Sequence, residues 1–172
     1  MFKEQVRITG RHAEIMKKYT QEKQADTKFP LILNDNRGGQ VETYIFDTMY
    51  QCYTFFATLG LAIDKKADAD NSTPTNANVF ADKIVSNQKY LYRIFRQMVL
   101  VDQTFGDDLD IKIKMLFDEG SMTPEQKKIG KELFDSYVRG GAEYFDERFC
   151  QSHSYEDIVR NFLTLFKENQ IV

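Results

Sequence analysis

The stretch Thr43-Tyr44-Ile45-Phe46-Asp47-Thr48-Met49-Tyr50-Gln51-Cys52-Tyr53-Thr54-Phe55-Phe56-Ala57-Thr58-Leu59 decides the fold class. Ile45, Met49, Cys52, Phe56 and Leu59 recur every three or four residues, the spacing of one helix face. Phe46, Tyr50, Tyr53 and Ala57 form a second apolar row beside the first. Only Asp47, Gln51, Thr54 and Thr58 remain as a polar strip. A helix this apolar is packed on several sides, so the spacing predicts a central helix over 43–59 that Gly60 terminates.

Helical patterns dominate on both sides of it. Upstream, Val6-Arg7-Ile8 alternates as a short strand does. Thr9 is placed to cap a helix over 10–23 that buries Ile15, Met16 and Tyr19. Residues 24–28 are polar and break the pattern. Residues 29–33 form a short apolar run of extended character, and Asn34-Asp35-Asn36-Arg37-Gly38-Gly39 is a turn signal. Downstream, residues 64–78 contain no large apolar side chain and read as a mobile loop. Asn87 caps a predicted helix to residue 101 with Leu91, Ile94, Phe95 and Met98 inward. Asp107 and Asp108 open another, with Leu109, Ile113, Leu116 and Phe117, closed by Gly120. Thr123-Pro124-Glu125-Gln126 is a capping box with proline in the first turn. It starts a pattern of Ile129, Leu133, Phe134, Tyr137 and Val138 that continues beyond Gly140-Gly141 to Tyr144, Phe145 and Phe149. The glycine pair marks a kink or a close backbone approach, since glycine is unfavourable in a helix interior. Ser154 and Asp157 cap a last helix with Tyr155, Ile158, Val159, Phe162 and Phe166 inward.

A chain of 172 residues, 42% hydrophobic and 28% charged, fits one domain with a sizeable core. The 14 Phe and 9 Tyr make that core aromatic. The expected architecture is a mostly α, single-domain helical bundle of five to seven helices with a short N-terminal strand or hairpin. Met1-Phe2-Lys3-Glu4-Gln5 lacks the pattern of a signal peptide, and no apolar run approaches the roughly 20 residues that span a bilayer. A cytoplasmic location without membrane association is therefore expected.

Sites of chemistry are hard to build. His12 and His153 are the only histidines, and no CxxC is present, which disfavours zinc. Asp68, Asp70 and Ser72 begin like a calcium loop, but the twelfth position is Val79 and the central glycine is missing. Cys150 and His153 are three apart, yet Cys150 continues an apolar row and no orienting group accompanies the pair. Cys52 and Cys150 read as reduced core residues. Asp102, Asp107, Asp108 and Asp110 read as caps and solvated surface. Neither glycine pair sits in a phosphate-cradling context. No catalytic residue, metal or cofactor is assigned, and an enzyme is not the favoured reading.

Charge is more informative. The net charge of −3 disfavours a uniformly basic nucleic-acid binder but permits a local basic face. Lys89, Arg93 and Arg96 fall at i, i+4 and i+7 on one helix face, with Tyr90 and Tyr92 interleaved. Arg7, Arg11, Lys17 and Lys18 make the N-terminal segment basic as well. Such faces track phosphates, although a solvated outer face is the commoner use of the pattern. Residues 102–119 are acidic instead, a polarity that suits docking to a protein partner or assembly of copies of this chain.

Two stretches carry a family resemblance. Phe46-x-x-Met49 followed by Phe55-Phe56-Ala57-x-Leu59-Gly60 and Lys65-Lys66 resembles the central helix of small accessory proteins of DNA phosphorothioation (Dnd) systems. Tyr137-x-x-Gly140-Gly141-Ala142 with the last helix is similar to their C-terminal half. The Val6-Arg7-Ile8-Thr9 opening resembles the start of the small DNA-binding subunit of the same systems. The match covers about half the chain through hydrophobic spacing, and it supplies no catalytic residue. It implies a non-catalytic component of a bacterial antiviral defence system linked to DNA modification, binding duplex DNA or a larger partner protein. Arg7, Arg11, Lys17, Lys18, Lys89, Arg93 and Arg96 are the expected DNA contacts. The other reading is a protein-interaction subunit with no nucleic-acid contact.

Overall fold

A computed structural model describes residues 1–21, 30–35, 37–106 and 108–169. The chain order is β1 (Val6–Thr9), α1 (Gly10–Tyr19), β2 (Leu31–Asn34), β3 (Gln40–Thr43), α2 (Met49–Ala62), β4 (Asn76–Val79), α3 (Ala81–Ser86), α4 (Gln88–Val101), α5 (Leu109–Phe117), a 3-10 turn (Glu119–Ser121), α6 (Pro124–Phe149) and α7 (Tyr155–Glu168). The fold is mostly α, with seven helices among the described residues and two small antiparallel strand pairs.

The packing of α2 against α6 organises the molecule. Two glycines let the two backbones meet, and a third admits the segment after α2. A Cβ on Gly60 would overlap the Tyr137 carbonyl oxygen, one on Gly141 the Phe56 carbonyl oxygen, and one on Gly140 the Lys65 carbonyl oxygen. The helices are therefore close enough to interleave rings. Phe145 stacks on Phe149 with centroids 3.9 Å apart and meets Phe56 at 5.4 Å, while Tyr53 lies 5.4 Å from Phe134. This aromatic seam is the centre of the core.

The strands tie the N-terminal half to that seam. β1 pairs with β4 from Val6↔Val79 to Thr9↔Asn76, and β2 pairs with β3 from Leu31↔Thr43 to Asn34↔Gln40. At the hairpin tip the Asp35 carboxylate accepts from the backbone N–H of Arg37 (2.8 Å) and Gly39 (2.6 Å), while Gly38 supplies positive φ.

Several boundaries differ from those the sequence predicts. The central helix starts at Met49, because Thr43 belongs to β3 and the Thr48–Gln51 capping box fixes the first turn. It runs through Gly60 to Ala62. Helix α1 ends at Tyr19, where Thr20 turns extended and bridges Phe46. Thr9 occupies the cap position without capping; Asp70 accepts from the Arg11 N–H at 2.8 Å instead. Asn87 precedes α4, but its amide donates to the Lys83 carbonyl oxygen. The segment read as one loop over 64–78 ends in β4. Residues 64–67 lie against α6, with Ala67 N–H donating to the Ser136 carbonyl oxygen at 3.0 Å and Arg139 Nε donating to the Ala67 carbonyl oxygen at 2.8 Å, while Asp70 and Thr75 bond to the start of α1. Helix α6 continues through Gly140-Gly141, so the pair serves close approach and does not end the helix. The polar break over 24–28, the ends of the readings at 23 and 29, and the positions of Asn36 and Asp107 lie outside the described residues.

Candidate nucleic-acid interface

Helix α4 buries Leu91, Ile94, Phe95, Met98 and Val99. At 100° per residue, Lys89, Arg93 and Arg96 fall within an arc of about 60° on the opposite side. All three are exposed, and none forms an ion pair among the described residues. The helix contains no Asp or Glu at any position. The charge is thus uncompensated along about two turns.

Both ends of α4 are held. At its start, the Gln88 side-chain amide donates to the Phe2 carbonyl oxygen at 3.0 Å, and the Phe2 ring meets Tyr92 edge-on at 5.1 Å. At its end sits Asp102, read from sequence as a solvated acid but in fact almost fully buried. Its carboxylate accepts from Tyr137 Oη (2.7 Å), Lys66 Nζ (2.8 Å) and Thr104 N–H (2.7 Å). Burial disfavours its charge, but those donors outweigh the burial and hold the carboxyl down at about 2.

The remaining basic positions lie on β1 and α1. Arg7 points outward from β1 and Arg11 is exposed in the first turn of α1. Lys17 is buried, which removes it as a phosphate contact. Lys18 is paired with Asp146 at 3.0 Å. Arg11 and Lys18 line one hollow of about 530 Å³ together with Glu14 and Asp146, so carboxylates balance the cations there.

The polar interior was not foreseen. Tyr53 Oη on α2 donates to Asp135 on α6 at 2.7 Å, and burial pushes the Asp135 carboxyl up to about 6. His12 meets Glu143 at 3.1 Å; burial lowers its pKa against the opposing pull of that hydrogen bond. Asp135 and Tyr53 lie 82 positions apart, and His12 and Glu143 131 apart, so spacing along the chain carries no signal of either pair. Asp135 is buried where α2 and α6 meet. Among the described residues, no three His, Cys, Asp or Glu side chains gather in a way that would hold a metal ion.

Two apolar rows also face outward against expectation. Leu109, Ile113 and Phe117 of α5 are exposed, leaving Met115 and Leu116 to bury that helix. On α7, Tyr155 and Val159 are more than half exposed together with Leu163, and Leu165 is the fully buried anchor. Cys52 lies in the core as expected, whereas Cys150 is half-buried at the end of α6; both thiols are free. No helix among the described residues is long and apolar enough to cross a membrane. No protein-family model, curated protein or solved structure matches the chain.

Proposed function

We propose that this chain is a non-catalytic accessory component of a bacterial DNA-modification-linked anti-phage defence system, and that it binds the DNA backbone through the outer face of α4. The observation that carries the DNA contact is the acid-free row Lys89, Arg93 and Arg96. A helix face that serves only solubility mixes both signs, as α6 and α7 do. Three unopposed cations attract a polyanion and release its counterions on contact. The defence setting comes from the sequence, through the Dnd resemblance.

The test is retention of labelled duplex DNA at low salt. Changing Lys89, Arg93 and Arg96 together to Glu leaves the buried face of α4 intact and should abolish retention. Undiminished retention would remove this surface from consideration. The second reading, a protein-interaction subunit without nucleic-acid contact, is favoured by the exposed apolar rows of α5 and α7. Co-purification with a stoichiometric partner, with no shift of DNA, would select it.

A further inference from the structure

Tyr90 of α4, the start of α2 and the residues just before it border an open hollow of about 510 Å³, within the range of about 300–1,000 Å³ usual for small-ligand clefts. Its apolar wall includes Phe46 and Phe55, whose rings lie 5.2 Å apart, and Tyr90 from α4. Tyr90 is 49% exposed, so its ring is free to take a stacking partner. It lies one turn before Arg93, which puts an aromatic face next to a phosphate-seeking cation.

The rim is polar and chemically mixed. Gln51 spends its side-chain carbonyl oxygen on the Asp47 and Thr48 N–H groups, at 2.9 and 3.1 Å, and keeps its amide N–H donors. Asp47 offers an exposed carboxylate as acceptor. Aromatic faces, paired donors and acceptors, and an adjacent cation are what a nucleotide with an accessible base requires. A base inside a duplex is stacked and cannot enter such a hollow.

We propose that this hollow takes an unpaired nucleobase from a strand whose phosphates lie on Lys89 and Arg93. The proposal rests on the backbone-binding reading of α4 and adds a preference for unpaired over paired nucleic acid. The probes are three fluorescein-labelled oligonucleotides: a mixed-sequence 12-nucleotide single strand, its duplex, and a 12-nucleotide abasic strand that keeps the phosphates and lacks the bases. Anisotropy titration should place the single strand about tenfold tighter than the abasic strand, the size of one good base–aromatic stack. Tyr90→Ala should bring the single strand to the level of the abasic one, and Tyr90→Phe should keep the preference. Equal binding of all three probes, or a preference that survives Tyr90→Ala in a variant with unchanged circular dichroism, overturns the base site and leaves the backbone reading standing. If the wild-type protein binds none of the probes at low salt, the backbone reading fails and the base site falls with it.

Discussion

Tyr137 and Asp102 meet at 2.7 Å where the end of α4, the middle of α6 and the segment after α2 converge. Lys66 and Thr104 complete the coordination of the same carboxylate. The arrangement fixes the far end of the cationic helix to the α2–α6 seam. Asp102→Ala would leave these donors without their shared acceptor and should destabilise the protein by about 3 kcal/mol. The sign of the pH dependence follows from a folded-state pKa of about 2 against an ordinary 3.8. The stabilisation is fully present above the ordinary value and is lost as pH falls through about 2. Urea midpoints of wild type and Asp102→Asn should therefore differ at pH 6 and converge near pH 2; a constant gap would show that the carboxylate charge is not what stabilises the junction.

Asp135 behaves in the opposite sense. Burial raises its carboxyl to about 6, so the native state binds a proton that the unfolded state releases near 3.8. The protonated form favours folding, an advantage present below pH 4 and lost as pH rises through 6. Above that pH a buried charge faces Tyr53 and costs about 3 kcal/mol, the equivalent of a shift of roughly two units. Asp135→Asn keeps an acceptor for Tyr53 and removes the charge. It should unfold at higher urea than wild type at pH 8 and at the same urea near pH 4. A variant weaker than wild type throughout would contradict the assignment.

Gly141 and Gly60 face backbone atoms that have no room to retreat. Gly141→Ala should therefore separate α2 from α6 and cost about 3 kcal/mol or more, the range for overpacking a rigid core. Gly120 meets only the Asp118 carboxylate, at 3.4 Å, and Gly120→Ala should be near neutral. Thermal melts of the two variants give a direct comparison.

The contrast between these glycines shows how far the sequence could be read. Gly140-Gly141 announces a special position inside a helical pattern, because two glycines there need a reason. Naming the reason requires the Lys65 and Phe56 carbonyl oxygens, which no local spacing reveals. The rows of α2 were legible because a helix buried on several sides leaves an unmistakable apolar excess. Its start was misplaced because the apolar rows run on upstream to Ile45, although the Thr48–Gln51 capping box marks the true start and Thr43 pairs in β3. The shared exposed face of Lys89, Arg93 and Arg96 was readable from helical spacing alone. Lys17 has the same charge and a similar setting, yet it is buried, because the side of α1 it occupies is fixed by tertiary packing.

Helix α7 separates apolar residues that anchor from those that do not. Leu165→Ala should cost about 2–4 kcal/mol, since its side chain is fully buried. Val159→Ser and Leu163→Ser should change stability by about 0.5 kcal/mol or less, as exposed positions do. If the two serine variants were as unstable as Leu165→Ala in urea, the exposed row would have to be covered in solution.

Salt dependence distinguishes contact through the α4 cations from diffuse attraction. Neutralising three phosphates predicts that log K falls against log salt concentration with a slope of about −2.7 for duplex DNA. The cations act on separate phosphates, so Arg93→Ala should reduce that slope by about 0.9, and Arg96→Ala should do the same. Lys17→Ala should leave the slope unchanged, because the residue is largely buried. Loss of affinity in the Arg93 variant at constant slope would mean that the residue supports the fold of α4 rather than touching the backbone. Titrations across a fourfold range of salt resolve the two outcomes, since each unit of slope changes affinity by about fourfold over that range.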